Sequence, residues 1–370
     1  MAISIQPYTA EHISAVVAFN QRVAAGGIGA EFHFPESNIP YWLPKEDGRR
    51  IYQEYYLALE GRDVRGAFIL KFQDFVFGQE ALPIVYYHLP VSEGIVNKSY
   101  ASVGVLMLRS ALKMHPRLFA LGMGGFDRPL PTMLKAMGWS LAAVPFHFRV
   151  HHPGNFLRQI APLRQSAGRR ALAGIAARTG AGWLGIKAFH WLRTQSPGPE
   201  IVAETVAKFG PWADNLWNQH ASRYVMIGNR QSETLNVLYP VGKNFLCLKI
   251  TRATEVLGWA VLLDTQMRNN KYFGNLRVGT IADAFAAPEN SGAVIHAATQ
   301  VLADRGVDLM LANHMHVAWG KAFQAAGYLR GPSNFLFAAS KPLSEKIGAF
   351  EANSKQVFLM RGDGDGPVNL

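Results

Sequence analysis

The chain has a single cysteine, Cys247, in 370 residues, which excludes an internal disulfide framework and any cysteine-rich metal site. Its setting in FLCLKI reads as a buried strand thiol rather than a nucleophile. Charged residues are also few, at 17% against 49% apolar, an ordinary globular balance that for this length suggests two to three domains. The opening MAISIQPYTAEH lacks the basic start and apolar segment of a secretory signal, so residence in a bacterial-type cytoplasm, or on the inner face of its membrane, is expected.

The sharpest local absence is of acid. From Arg128 to Pro199 there are ten basic residues (Arg128, Lys135, Arg149, Arg158, Arg164, Arg169, Arg170, Arg178, Lys187, Arg193) and no Asp or Glu, which leaves +1 of the formal +11 for the rest of the chain. Within this stretch Arg178 and Lys187 interrupt the apolar residues, so it does not read as a spanning helix. Three readings stay open: helices packed between domains with a solvated basic face, an interfacial segment on anionic lipid, or a surface for nucleic acid or an anionic substrate. None of the usual nucleic-acid modules stands beside it, so nucleic acid is the least favoured partner.

What is present, twice, is a pattern. Shifting the chain by 189 positions lays Ser102 to Trp139 on Ser291 to Tyr328 without a gap. Val105, Leu106, Leu108 and Leu112 fall on Val294, Ile295, Ala297 and Val301, a helical stripe that repeats. FALGM then falls on DLMLA as a short buried strand, and MLKAMGW and AFQAAGY close each copy. The closing glycines suit a helix C′ position, where the left-handed backbone costs least without a Cβ. The chain therefore reads as a duplicated domain.

The first copy opens with a strand and a helix capped by Thr9, then a proline-rich aromatic loop, FHFPESNIPYWLPKEDG. LALEGRDVRGAFIL is a hairpin turning at Gly61, and PFHFRV reads as the last strand before the connector. The expected order is strand, helix, loop, three strands, helix, strand, helix, strand, as in mixed α/β sheets flanked by helices.

This element order, the opening ISIQPYTAEH, the hairpin and the two glycine–aromatic closures resemble the GNAT acyltransferase superfamily in tandem arrangement. The resemblance implies an α/β (α+β) fold class of two tandem GNAT-like mixed sheets joined by a basic helical connector, divided as 1–152, 153–199, 200–345 and a final strand with flexible tail at 346–370. It also implies an acyl-CoA donor, acetyl-CoA or longer, with no metal, its pyrophosphate held by amides at the start of the central helix. In copy one that donor site maps to Leu89, Val91, Lys98, Ser99, Ser102, Val103 and Gly104. Ser99 stands where the family favours Arg or Gln, and only Gly104 of the loop glycines is kept. Copy two has Glu289 where a phosphate would be repelled. The family's frequent tyrosine acid is Leu134 in one copy and Phe323 in the other. Degraded tandem copies are similar to Fem-type transferases, which take amino acids from charged tRNA, and to exopolysaccharide-associated acyltransferases, the nearer match because the long helical arm of the tRNA-using members is missing.

A general base must sit where strands end beside the cleft. His88 and Glu93, in YYHLPVSEG, lie at the end of the strand that would splay for an acyl chain. The competing reading is a buried, hydrogen-bonded histidine and a glutamate bracketing the helix entry. Asp127 and His316 are equivalent under the offset, just past the repeated short strand, although Asp127 before Pro129 also suits a helix N-cap. His314 with His316 and Asp283 are further candidates, and His-x-His lacks a third metal ligand. Gly122-x-Gly124-Gly125 lacks the acidic partner of a dinucleotide site, and the Asp-x-Asp-Gly of the tail has no downstream calcium ligands. The function expected is transfer of an acyl group to an amine or hydroxyl of a sugar or cell-envelope precursor, with the acceptor in the groove between the copies. The alternatives are a catalytically silent scaffold and aminoacyl-tRNA-dependent transfer.

Overall fold

The computed structural model describes residues 3–159 and 201–364. These form two compact units: unit 1 runs to Ala143 and includes Asn334–Asn353, and unit 2 comprises Val144–Ser333 and the segment from Ser354. The connector arginines from Arg164 to Arg193 and the tail from residue 365 lie outside the described residues, and with them the membrane and tRNA readings that draw on the connector. Among the described residues no helix is long and apolar enough to cross a membrane.

Unit 1 begins with β1 (Ser4–Pro7), α1 (Ile13–Ala25), β2 (Tyr52–Glu60), β3 (Asp63–Phe77), β4 (Glu80–Ser92), α2 (Val103–Met114), β5 (Leu118–Met123), α3 (Pro129–Ala136) and β6 (Ser140–Ala143). The β2–β3 turn places Gly61 at φ +63°, as a tight hairpin requires of its first turn residue. Strand alternation sorts the side chains between two cores. On one face Leu57, Ile69 and Val91 pack with Val16, Phe19 and Val23 of α1. On the other, Phe68, Leu70 and Tyr87 pack with Met107, Leu108 and Leu134 of α2 and α3. Each such fully buried side chain contributes about 1.5–3 kcal/mol.

Unit 2 contains β7 (Phe146–Val150), α4 (Pro153–Gln159), β8 (Ile201–Thr205), α5 (Pro211–His220), β9 (Met226–Gly228), α6 (Ser232–Leu238), β10 (Phe245–Arg252), β11 (Glu255–Gln266), β12 (Arg277–Ala286), α7 (Ser291–Asp304), β13 (Leu309–Asn313), α8 (Val317–Ala325) and β14 (Leu329–Gly331). Then β15 (Phe335–Ala339) and α9 (Lys341–Ile347) return to unit 1, and β16 (Val357–Phe358) to unit 2. The repeat read in the sequence is present element by element: α2 with α7, β5 with β13, α3 with α8. Gly138 and Gly327 close the copies at φ +81° and +83°. Cys247 is buried in β10, and burial pushes its thiol up to about 11.

The two sheets have one plan, a fold of two tandem mixed sheets. Unit 1 orders its strands β1-β2-β3-β4-β5-β15-β6, and unit 2 orders them β8-β10-β11-β12-β13-β7-β14. Only β4–β5 and β12–β13 are parallel within these paths. The sixth place in each sheet is filled by a strand from the other half of the chain. PFHFRV does form a strand, yet β7 pairs with β13 and β14 rather than closing the first sheet, and β15 pairs with β5 and β6. The compact units consequently differ from a division at 152 and 345. Only Val144 and Pro145 separate β6 from β7. Proline fixes φ near −65° and holds the residue before it extended, so this pair cannot supply the positive φ angles of a two-residue hairpin. The chain runs on into another sheet. Ser340 fastens β15 at its end: its Oγ accepts from Leu118 N at 3.0 Å and donates to Pro116 O at 2.7 Å.

Candidate active site

In unit 1 the parallel pair β4–β5 is short. Pairing is confined to Val85 with Leu118 and Tyr86 with Phe119, after which β4 runs on to Ser92 and β5 to Met123 without pairing to each other. The strands part there, towards α2. Just beyond the last paired residue β4 carries a bulge: Ile69 faces His88 but Ala67 faces Val91, and Leu89 takes φ +45°. An extra residue reverses side-chain parity. Tyr86 and His88 therefore share the face opposite α2, and Val91 and Glu93 stay on it as well. At the other lip Gly122, Met123, Gly124 and Gly125 have φ of +92°, +66°, +76° and +120°, so these glycines serve the backbone that bends β5 away. Ile95 and Phe126, after the ends of β4 and β5, leave an apolar rim that is 56% and 52% exposed.

The first turn of α2 borders this opening. Ser102 precedes it without a side-chain cap, and the helix cannot satisfy its own first amides. Val103 and Val91 are core residues that could offer only backbone groups, Leu89 packs towards α1, and Lys98 and Ser99 are exposed. Ser99 N donates to Asn97 Oδ1 at 3.1 Å. Gly104 has no packing reason to be glycine, since an added Cβ would meet nothing nearer than 3.9 Å.

His88 is half-buried, with Nδ1 3.1 Å from Tyr86 Oη. Glu93 has a different job from that of a base. It is buried and clamped by Arg22 at 3.1 Å and Arg65 at 3.2 Å, while Arg65 also holds Glu60 and lies over the Tyr100 ring. This cluster ties the β4–α2 loop to α1 and the β2–β3 hairpin. Asp127 is exposed in the turn after β5, and the N-cap of α3 is its neighbour Arg128. His88, Glu93, Asp127 and the donor stretch thus belong to unit 1, and His316 belongs to unit 2.

The corresponding opening in unit 2 is filled from within. Pairing of β12 with β13 ends at Thr280 and Leu311. Beyond it His314 bridges Met360, Met315 N donates to Leu359 O at 3.1 Å, and Arg361 Nε donates to Asn313 Oδ1 at 3.0 Å. Asp283 is not a mouth carboxylate. It is buried, accepting from Arg230 at 3.0 Å and Tyr239 Oη at 2.7 Å, while Arg230 also holds Asp363 at 2.8 Å. Burial pushes Asp283 above the usual carboxylate range, against the pull of Arg230. An alanine Cβ at Gly362 would collide with Tyr239 Oη. Sequence reading missed this network because Arg230, Tyr239, Asp283 and Asp363 share no local motif.

His316 caps α8, its Nδ1 accepting from Ala318 N at 3.2 Å, and burial pushes it down to about 4 against a hydrogen bond with Gln356. His314 is fully buried, stacked on Trp319 at 5.0 Å, and its Nδ1 accepts from His316 N. Burial holds it well below the ordinary histidine value, helped by His316, His147 and Arg230. Among the described residues no group of three or more His, Cys, Asp or Glu could hold a metal ion.

No family model and no curated protein matches the chain. Solved structures do, at low identity. Saccharomyces cerevisiae N-myristoyltransferase with bound myristoyl-CoA aligns at TM-score 0.52 and 10% identity over 91% of this chain and 79% of its own. A probable N-acyltransferase of unknown function from Enterococcus faecalis V583 gives 0.52 and 9% over 94% and 75%. A GCN5-related N-acetyltransferase from Anabaena variabilis gives 0.50 and 9% over 91% and 72%. The fold is that of the GNAT acyltransferases. The Fem-type subdivision gains no support.

Proposed function

We propose that the chain is a GNAT-type acyltransferase that takes an acyl group from acetyl-CoA or another acyl-CoA, bound in unit 1, and passes it to an amine or hydroxyl of a sugar or cell-envelope precursor. One observation carries the choice of unit: β4 and β5 part beside the first turn of α2, whereas residues 357–363 fill the matching gap of unit 2. Glu289 at the mouth of unit 2 is ion-paired with Arg223, so the filling of that gap, not an uncompensated acidic charge, sets it apart from unit 1. In unit 1 the amides of α2 offer partial positive charge to a pyrophosphate, Lys98 adds a full charge, and Gly104 admits close approach. A structural neighbour described with myristoyl-CoA supports an acyl-CoA donor for this fold. His88 stands on the strand edge where the thioester would thread, on the face away from α2.

A second reading, a catalytically silent binding protein, draws on Ser99 in place of Arg or Gln and on Glu93 being held by two arginines. Calorimetry separates the two. The wild type should bind acetyl-CoA with one site per chain, and Lys98→Glu should weaken it about tenfold, or 1.4 kcal/mol. No binding at millimolar acetyl-CoA or longer acyl-CoAs would remove the donor and leave the silent reading.

A further inference from the structure

We propose that unit 1 receives its thioester from a small acidic protein, an acyl carrier whose phosphopantetheine arm enters between β4 and β5, and that exposed cations on α2 and α3 hold that protein. The chemistry rests on the acyl-transfer reading, and the choice of partner rests on the charge pattern. Between Gly94 and Ala143 the chain has six cations, Lys98, Arg109, Lys113, Arg117, Arg128 and Lys135, against one carboxylate, Asp127. All seven are exposed, and none of the six cations has an ion-pair partner among the described residues. Elsewhere in unit 1 surface cations do find acids, Lys45 with Glu54, Arg50 with Asp74 and Lys346 with Glu80.

The topology gathers these charges on one face. Both helices pack over Phe68, Leu70 and Tyr87, and Met133 of α3 lies beside Gly104 of α2. Because α2 follows the end of β4 and α3 the end of β5, and the two strands are parallel, both helices begin at the opening and run away from it. At 1.5 Å per residue Arg109 lies about 9 Å and Lys113 about 15 Å beyond Val103. The charge thus continues well past a pyrophosphate held at the first turn. At the head of this face Ile95 and Phe126 are exposed beside the opening. Apolar side chains bordered by charge are the make-up of a protein-binding patch.

A free nucleotide donor would leave the cations far from the first turn, and both apolar lips, without a ligand group. An acidic carrier matches all of them, with carboxylates for the cations, apolar surface for the lips and one phosphate for the α2 amides. Opposite charge on the two surfaces also speeds encounter and fixes orientation. In the bound complex the acceptor amine or hydroxyl forms its bond to the thioester carbonyl carbon and the C–S bond breaks. The acceptor's proton ends on the departing pantetheine thiolate, so the carrier leaves as a free thiol.

The test is fluorescence anisotropy of a labelled, acetyl-loaded acidic acyl carrier protein titrated with the full chain. The wild type should bind saturably and more weakly as salt rises. The variant Arg109→Glu, Lys113→Glu, Lys135→Glu should lose about tenfold or more in affinity, and Arg109→Gln, Lys113→Gln, Lys135→Gln should fall between it and the wild type. Calorimetric binding of acetyl-CoA should be the same in all three, since these side chains lie away from the first turn of α2. Equal carrier affinity in the three proteins, or no carrier binding by the wild type, would overturn the proposal. Anionic phospholipid vesicles or a short RNA duplex held through the same three side chains, with the carrier ignored, would overturn it too and give the patch to that partner. Failure of the wild type to bind acetyl-CoA would count against the acyl-transfer reading alone, because carrier binding is read without any transfer.

Discussion

A glycine that its surroundings do not require is informative at the residue scale. Gly104 lies in the first turn of α2, where an added Cβ would make only ordinary van der Waals contacts, and glycine inside a helix costs about 0.5–1 kcal/mol relative to alanine. Gly104→Ala should therefore raise unfolding stability by about that amount while weakening acetyl-CoA binding, read by urea titration and calorimetry on the same preparation. A more stable variant that binds as well as the wild type would remove the reason offered for this glycine. Gly362 is the opposite case, since its Cβ would strike the Tyr239 hydroxyl that Asp283 accepts from. Gly362→Ala should cost about 1–3 kcal/mol, as overpacking does, and leave the affinity of unit 1 for acetyl-CoA unchanged. Loss of donor binding in that variant would place the donor in the wrong unit.

Among the elements, the exchanged strands decide how the chain can be divided. Unit 1 without β15 would leave β5 and β6 without their shared partner and Leu118 N without Ser340. Residues 1–143 alone should give a poorly dispersed amide spectrum, and Ser340→Ala in the full chain should cost about 1–3 kcal/mol for a buried amide left without its acceptor. A well-dispersed spectrum from 1–143 would show that β15 is dispensable. The repeated unit from helix to closing glycine was legible in the sequence, because the apolar spacing of α2 and α7 and the C′ glycines are local signals. The exchange was not read, although Val144-Pro145 carried a usable hint, since that pair cannot turn a hairpin. Pairing partners are set by contacts far apart in sequence, such as Leu309 with Val150 and Ala339 with Phe119, and periodicity says nothing of them. The same limit applied to the site. His88 was named a candidate from its place near a strand end, but the clamp of Glu93 by Arg22 and Arg65 joins residues 71 and 28 positions apart. Tyr86 Oη donates to Leu121 O at 3.1 Å, a contact with a β5 carbonyl that no side-chain pattern announces.

For the molecule as a whole, stability should depend on pH through buried imidazoles of unit 2. Burial pushes His147 and His316 down to about 4, Arg330 adding to the effect at His147, and burial also holds His314 well below the ordinary histidine value. In the unfolded chain each takes a proton near pH 6.5, so between about 4 and 6.5 the unfolded state binds more protons and stability falls as the pH falls. The slope approaches about 1.4 kcal/mol per pH unit for each imidazole. Urea midpoints at constant ionic strength should drop steeply from pH 6.5 to 4.5, and His316→Asn, which keeps a capping side chain, should flatten the profile. Equal midpoints across that range would mean that these rings are not neutral in the fold.

The claim on which the account turns is that one unit holds the donor and the other has closed its gap. The most direct measurement is a crystal structure of the full chain grown with millimolar CoA. The account predicts CoA in unit 1 alone, its pyrophosphate against the amides from Ser102 to Gly104 and its thiol arm between β4 and β5 on the way to His88, with residues 357–363 still seated between β12 and β13. CoA bound in unit 2 with that segment displaced would contradict it, and so would unit 1 side chains packed across the gap with CoA in neither unit.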